Sequence, residues 1–144
     1  MSVSGNQRGV VDVALDVTVE CMDASGGLHH LDTRLGYQAA DAYAVSMTFL
    51  SAAGDLTWTF ARDLLLRGVS SPVGDGDVHV CPSLDVDGVA VVLIELSSPD
   101  GHLILQTRTK DVTDFLERSL RVVPAGEESA HLDVDALVDQ LLAG

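Results

Sequence analysis

The stretch from Asp41 to Gly68, DAYAVSMTFLSAAGDLTWTFARDLLLRG, decides how the chain folds. Val45, Met47 and Phe49 alternate with Ala44, Ser46 and Thr48. After a Gly-containing connection from Ser51 to Asp55, the alternation resumes at Leu56, Trp58 and Phe60. Period-two patterning on both sides of a short connection predicts a β-hairpin. Arg62 to Arg67 then reads as a short helix, with Gly68 ending it through the left-handed conformation that glycine tolerates. Ser70-Ser71-Pro72 marks the break. The stretch holds the only tryptophan of the chain, which assigns it to the core.

Upstream, Met1 to Arg8 is polar and aperiodic and reads as a loose tail. From Val11 to Cys21 odd-numbered apolar residues alternate with Asp12, Ala14, Asp16, Thr18 and Glu20, the pattern of a strand with one face buried and one face wet. Asp23 to Gly27 is a turn and Leu28 to Leu35 a returning strand. His29 and His30 are adjacent, so in a strand they point to opposite faces and do not chelate one ion together.

Downstream, Gly74-Asp75-Gly76-Asp77 reads as a loop, and Val78 to Ser83 as a short strand. Gly88 to Leu96 is a strand apolar on both faces, expected at the sheet centre or a subunit contact. Ser97 to Gly101 is a turn, and His102 to Thr109 is the strand that returns from it. Asp111 is placed to cap a helix bearing Val112, Phe115, Leu116, Leu120 and Val123, stopped by Pro124. Asp133 opens a last amphipathic helix over 133–143. The expectation is one α+β domain spanning residues 1–144, antiparallel, with about seven strands and about three helices.

Composition narrows function. The 144 residues carry 8 Lys and Arg against 22 Asp and Glu, a net charge of -14, which disfavours binding to a phosphate backbone. No apolar run approaches the roughly 20 residues of a bilayer span, and the N-terminus lacks a basic region followed by an apolar segment; the chain is expected in the cytoplasm. Cys21 and Cys81 lack CxxC spacing and read as ordinary buried thiols. There is no GxSxG, GxxxxGK, GxGxxG or HExxH. The Gly74–Asp77 loop lacks the later oxygen ligands of a calcium loop. His79, His102 and His131 are scattered rather than convergent. No catalytic residue, metal or cofactor is therefore assigned, and the chain is read as a non-enzyme. Arg108, Lys110, Arg118 and Arg121 gather in one short region as a candidate basic spot, although cations near a helix C-terminus have an ordinary structural reason to be there.

DAYAV (41–45), WTFARDLLLRG (58–68), GDVHVCPS (76–83) and LSSPDG (96–101) together resemble the SsgA-like proteins of actinomycetes, which control sporulation-linked cell division. Cys81 stands where that resemblance would put an aromatic residue. The resemblance implies a Whirly-like fold, a repeated sheet-plus-helix unit, and a homo-oligomer, with a trimer the working expectation. It also implies a noncatalytic role in placing the division machinery at septa, with FtsZ or another SsgA-like protein as partner. The motif positions offered as partner or oligomer contacts are Asp41, Tyr43, Trp58, Arg62, Asp63, Gly68, Asp77, Pro82 and Ser83. Arg62 and Asp63, at the strand-to-helix corner, are read either as a structural ion pair or as a contact. The competing reading from the same fold is a Whirly-like regulator that binds single-stranded nucleic acid, which requires a cationic groove and exposed aromatic platforms.

Overall fold

The computed structural model describes residues 11–23, 25–131 and 141–142. Four strands precede a helix, twice over: β1 (Val13–Met22), β2 (Leu28–Tyr37), β3 (Ala44–Phe49), β4 (Leu56–Ala61) and α1 (Arg62–Gly68), then β5 (Val73–Asp75), β6 (Val78–Leu84), β7 (Ala90–Ser98), β8 (Gly101–Arg108) and α2 (Thr109–Val122). All eight strands form one antiparallel sheet in the order β4-β3-β2-β1-β8-β7-β6-β5. The hairpin foreseen in the 41–68 stretch is β3–β4, in register from Ala44 opposite Ala61 to Phe49 opposite Leu56.

The alternation of β1 works as its sequence demands. Val13, Val17, Val19 and Cys21 are buried while Ala14, Asp16 and Thr18 are exposed. The same face of the sheet presents Leu35, Met47, Phe60, Val80, Ile94 and Leu105 to the core, which α2 completes with Val112, Phe115 and Leu116. The two halves meet at a short seam: β1 and β8 pair only through Glu20–Met22 opposite Gln106–Ile104. Each helix crosses to the other half. α1, from the first, packs on β5 and β6 as well as β4; α2, from the second, packs on β1 as well as β7 and β8. Burial of apolar side chains under these crossing helices therefore joins the halves where strand pairing is sparse.

Several expectations change. The described residues form eight strands rather than about seven, because Val73–Asp75, which overlaps the Gly74–Asp77 stretch read as loop, pairs with Val80–Val78. Three residues with two glycines nearby carry no alternation; what makes the strand is the two-residue turn at Gly76-Asp77, where Gly76 takes φ +59°. The described residues contain two full α-helices; the helix expected over 133–143 falls outside them except at residues 141–142, which are helical, and the tail 1–8 falls outside them too. Asp111 does not cap α2: the helix starts at Thr109 behind Arg108, without a side-chain cap, and Asp111 lies in the first turn, where its charge still suits the dipole. Cys81 is only half-buried, on the sheet face away from the helices.

Gly68 also has a different reason from the one its position implies. It is helical rather than left-handed, and the cap residue Val69 is right-handed too. A Cβ on Gly68 would overlap the side chain of Val80 on β6. Glycine is what lets α1 lie against the second half. Gly68→Ala is expected to destabilise the fold by about 1–3 kcal/mol, the usual range for overpacking, read as a lower urea midpoint. In a double-mutant cycle with Val80→Ala the two losses should fall short of additive.

Candidate partner-recognition surface

The residue that the family motif places at the strand-to-helix corner is the most constrained charge in the structure. Arg62 follows β4 directly, and its backbone N–H donates to Tyr43 O at 2.7 Å, closing the corner. Its side chain turns inward and has no solvent exposure (0 %). Nη1 donates to Val123 O (2.8 Å) and Ser119 O (3.1 Å), and Nη2 donates to Glu128 Oε2 (2.9 Å). The guanidinium stacks over the Tyr37 ring, 4.7 Å from its centroid. Tyr37 is fixed in turn by donating its hydroxyl to Ala42 O at 2.9 Å, and burial pushes its phenol above the ordinary value, so it stays neutral.

Two physical effects meet there. The carbonyls of Ser119 and Val123 belong to the C-terminal end of α2, which carries partial negative charge and wants a cation. A buried guanidinium in turn needs acceptors and a counter-charge, or its lost hydration is uncompensated. Glu128 supplies the counter-charge from the 3-10 turn Glu128–His131; its other oxygen accepts the Gly126 N–H at 2.9 Å. The hydrogen bond from Arg62 is the main cause that lowers the Glu128 pKa below its ordinary 4.5. Of the guanidinium nitrogens, only Nε has no hydrogen-bond partner among the described residues. Arg62 therefore ties the end of the first half to the end of the second.

The Arg62–Asp63 pair considered from sequence does not form. Asp63 is exposed on α1 and pairs with Arg67 one turn on, at 2.8 Å. Among the other motif positions, Asp41 and Tyr43 are exposed beside this corner, Trp58 is half-buried opposite Met47, and Asp77 is exposed on the β5–β6 turn. Pro82 sits in β6 beyond the point where β5 ends, so its missing N–H has no strand to serve there; Ser83 follows it, half-buried. These residues do not converge on one site. Tyr37, Ser119 and Glu128 were not singled out from sequence. Ser119 and Glu128 lie 57 and 66 positions from Arg62, and no local spacing carries such a contact.

The candidate basic spot is interrupted. Lys110, Arg118 and Arg121 follow the solvent face of α2, but Asp114 lies between them and holds Arg118 at 3.4 Å. Arg108 points into a cleft where β1 and β8 part, lined by Asp16, Glu20, Asp85, Asp87 and Asp111. Three of these carboxylates are already engaged: Asp16 holds Arg34 at 2.8 Å, Glu20 accepts from Gln106 Nε2 at 3.4 Å, and Asp85 accepts the backbone N–H groups of Asp87 and Val89. Asp23 likewise builds its turn. Hydrogen bonds from His29, Ser25 and Gly27 hold its carboxyl well below the usual range. Among the described residues, no group of three or more His, Cys, Asp or Glu is placed to hold a metal ion, and no helix is long and apolar enough to cross a membrane.

Residues 31–128 match the profile of SsgA, described as Streptomyces sporulation and cell division protein. The chain belongs to the SsgA family. Relatives include the sporulation-specific cell division protein SsgB of Kineococcus radiotolerans, 40% identical over 98% of this chain and 92% of that one. SsgB of Streptomyces coelicolor is 44% identical over 76% of this chain and 80% of that one. The fold matches a solved SsgA-like sporulation-specific cell division protein from Thermobifida fusca, with TM-score 0.80 at 32% identity over 89% of this chain and 93% of that chain. It also matches an SsgB structure described with mutations that correlate with longitudinal cell division during sporulation of Streptomyces coelicolor. That TM-score is 0.78 at 38% identity, over 83% of this chain and 94% of that chain.

The Arg62 site makes two predictions. Arg62→Ala leaves Glu128 and the end of α2 without their cation and should cost about 3–5 kcal/mol, the range for removing one partner of a buried pair, measured by urea denaturation. Because the pKa of Glu128 is depressed in the folded state, its contribution is full above pH 4.5 and is lost as pH falls through the lower folded value. Glu128→Gln should therefore be less stable at neutral pH, and the difference from the unmodified chain should shrink below pH 4.5. A difference unchanged down to strongly acidic pH would contradict this.

Proposed function

We propose that this SsgA-family chain serves sporulation-specific cell division as a noncatalytic adaptor that helps position or recruit the division machinery at septa. FtsZ, or a protein associated with it such as another SsgA-like chain, is the partner this reading names. The working unit is a homo-oligomer, for which a trimer is proposed. The observation that carries the reading is the match over residues 31–128, together with relatives named for sporulation-specific cell division that align over most of their own length. The structure is in keeping with a scaffold: the most constrained charged group, Arg62, is spent on joining the halves rather than facing a substrate.

The twice-occurring unit of four strands and a helix fits the Whirly-like plan that the resemblance implies. The nucleic-acid function of that plan has less support. Arg34, Arg62, Arg67 and Arg118 are each held by a carboxylate. Tyr37, Phe49, Phe60 and Phe115 are buried, so they offer no stacking platform.

A fluorescent fusion expressed in a sporulating actinomycete lacking its own copy should gather at septation sites and restore regular septa. FtsZ should co-purify with it. Uniform fluorescence with septation unchanged from the deletion strain would contradict the role, and septal placement without FtsZ would move the partnership to another division protein.

A further inference from the structure

The two ends of the sheet meet across one groove. Among the described residues β4 pairs only with β3 and β5 only with β6, so each leaves one edge without a strand there. Both line a slot of about 350 Å3, with Trp58, Phe60 and Leu64 on the β4–α1 side and Asp75, Asp77 and Val78 on the other. The floor is apolar: Phe60, Leu64 and Val78 are buried and Trp58 half-buried. Among the described residues, the rim holds two exposed carboxylates and no cation. Sheet edges are ordinarily guarded by a lysine, a proline, a bulge or a covering element. β4 reads LTWTFA, with no charge, proline or glycine along its length.

We propose that this slot docks an extended, cationic segment of a partner protein, which adds as a strand to the free edge of β4. Main-chain pairing supplies the affinity in such additions, and side-chain pockets supply the selection. Here alternate apolar side chains meet Trp58, Phe60 and Leu64, and cationic ones meet Asp75 and Asp77. A second copy of the chain is the poorer occupant, because it brings the same two carboxylates and a net charge of -14. The slot gives the adaptor role a contact surface and rests on that role only for the partner's identity.

Trp58 lines the slot and is the only tryptophan, so its fluorescence reports occupancy. The probe is an eight-residue capped peptide alternating Val and Thr, with Lys at two positions, titrated into the full chain at low and moderate salt. Comparison peptides carry Glu for Lys, or proline at two central positions with both Lys retained. The expected result is a saturable shift of Trp58 emission with the Lys peptide. Affinity should be at least about tenfold weaker for the Glu and proline peptides, and also weaker for the Asp75→Asn/Asp77→Asn protein, whose far-UV circular dichroism should be unchanged. Three results would overturn the proposal: no saturable shift with the Lys peptide, equal affinity for the proline peptide, or a Trp58 shift that follows protein concentration alone, which would put a second copy in the slot. A fusion that fails to reach septa would contradict the cell-division role and leave this binding result standing.

Discussion

The Arg62 guanidinium carries a full charge into a position without solvent, and the groups around it offset the hydration it loses. Two carbonyls at the end of α2, one carboxylate and one aromatic face surround it. Tyr37 comes from β2 and Arg62 from the end of β4, whereas Ser119, Val123 and Glu128 come from one segment at the end of the second half, so the site exists only when the two halves are docked. Replacing such a pair by apolar residues is often harmless elsewhere, whereas leaving half of it is costly. The fold depends on all the parts arriving together.

That dependence follows from the topology. Strand pairing is long within each half and short between them: β1 and β2 are in register over their full length, whereas β1 and β8 share a three-residue ladder. The crossing helices compensate. α1 reaches β6 because Gly68 has no Cβ to strike Val80, and α2 covers the seam with Val112, Phe115 and Leu116. Arg62 starts the first helix and holds the end of the second. One arginine thus connects the two devices that join the halves, which gives its place beside WTFA a structural reason independent of any partner.

Local pattern made most of the strands readable. β1, β3 and β4 have one buried and one wet face, and period-two alternation reports that directly. The family could be read as well, because its motifs lie in segments whose order along the chain is fixed. β5 was not readable, since three residues around glycine owe their conformation to the turn at Gly76 and to β6 rather than to their own pattern. Gly68 was placed correctly and explained wrongly: a helix-ending glycine and a close-packing glycine look alike in one dimension. The partners of Arg62 were out of reach for the same reason, as Ser119 and Glu128 have unremarkable neighbours and become ligands only when α2 docks. The slot between β4 and β5 is likewise a property of curvature, which no stretch of sequence displays by itself.

Arg62 couples the two halves, and native-state amide hydrogen exchange of Arg62→Met against the unmodified chain reads that coupling residue by residue, since methionine keeps apolar bulk and removes the charge. Exchange resolves local opening from global unfolding. Protection should fall most at residues 119–123 and at the β1–β8 seam, beyond the loss in the β2–β3 ladder. A uniform loss across all core amides, or no loss at the end of α2, would contradict it.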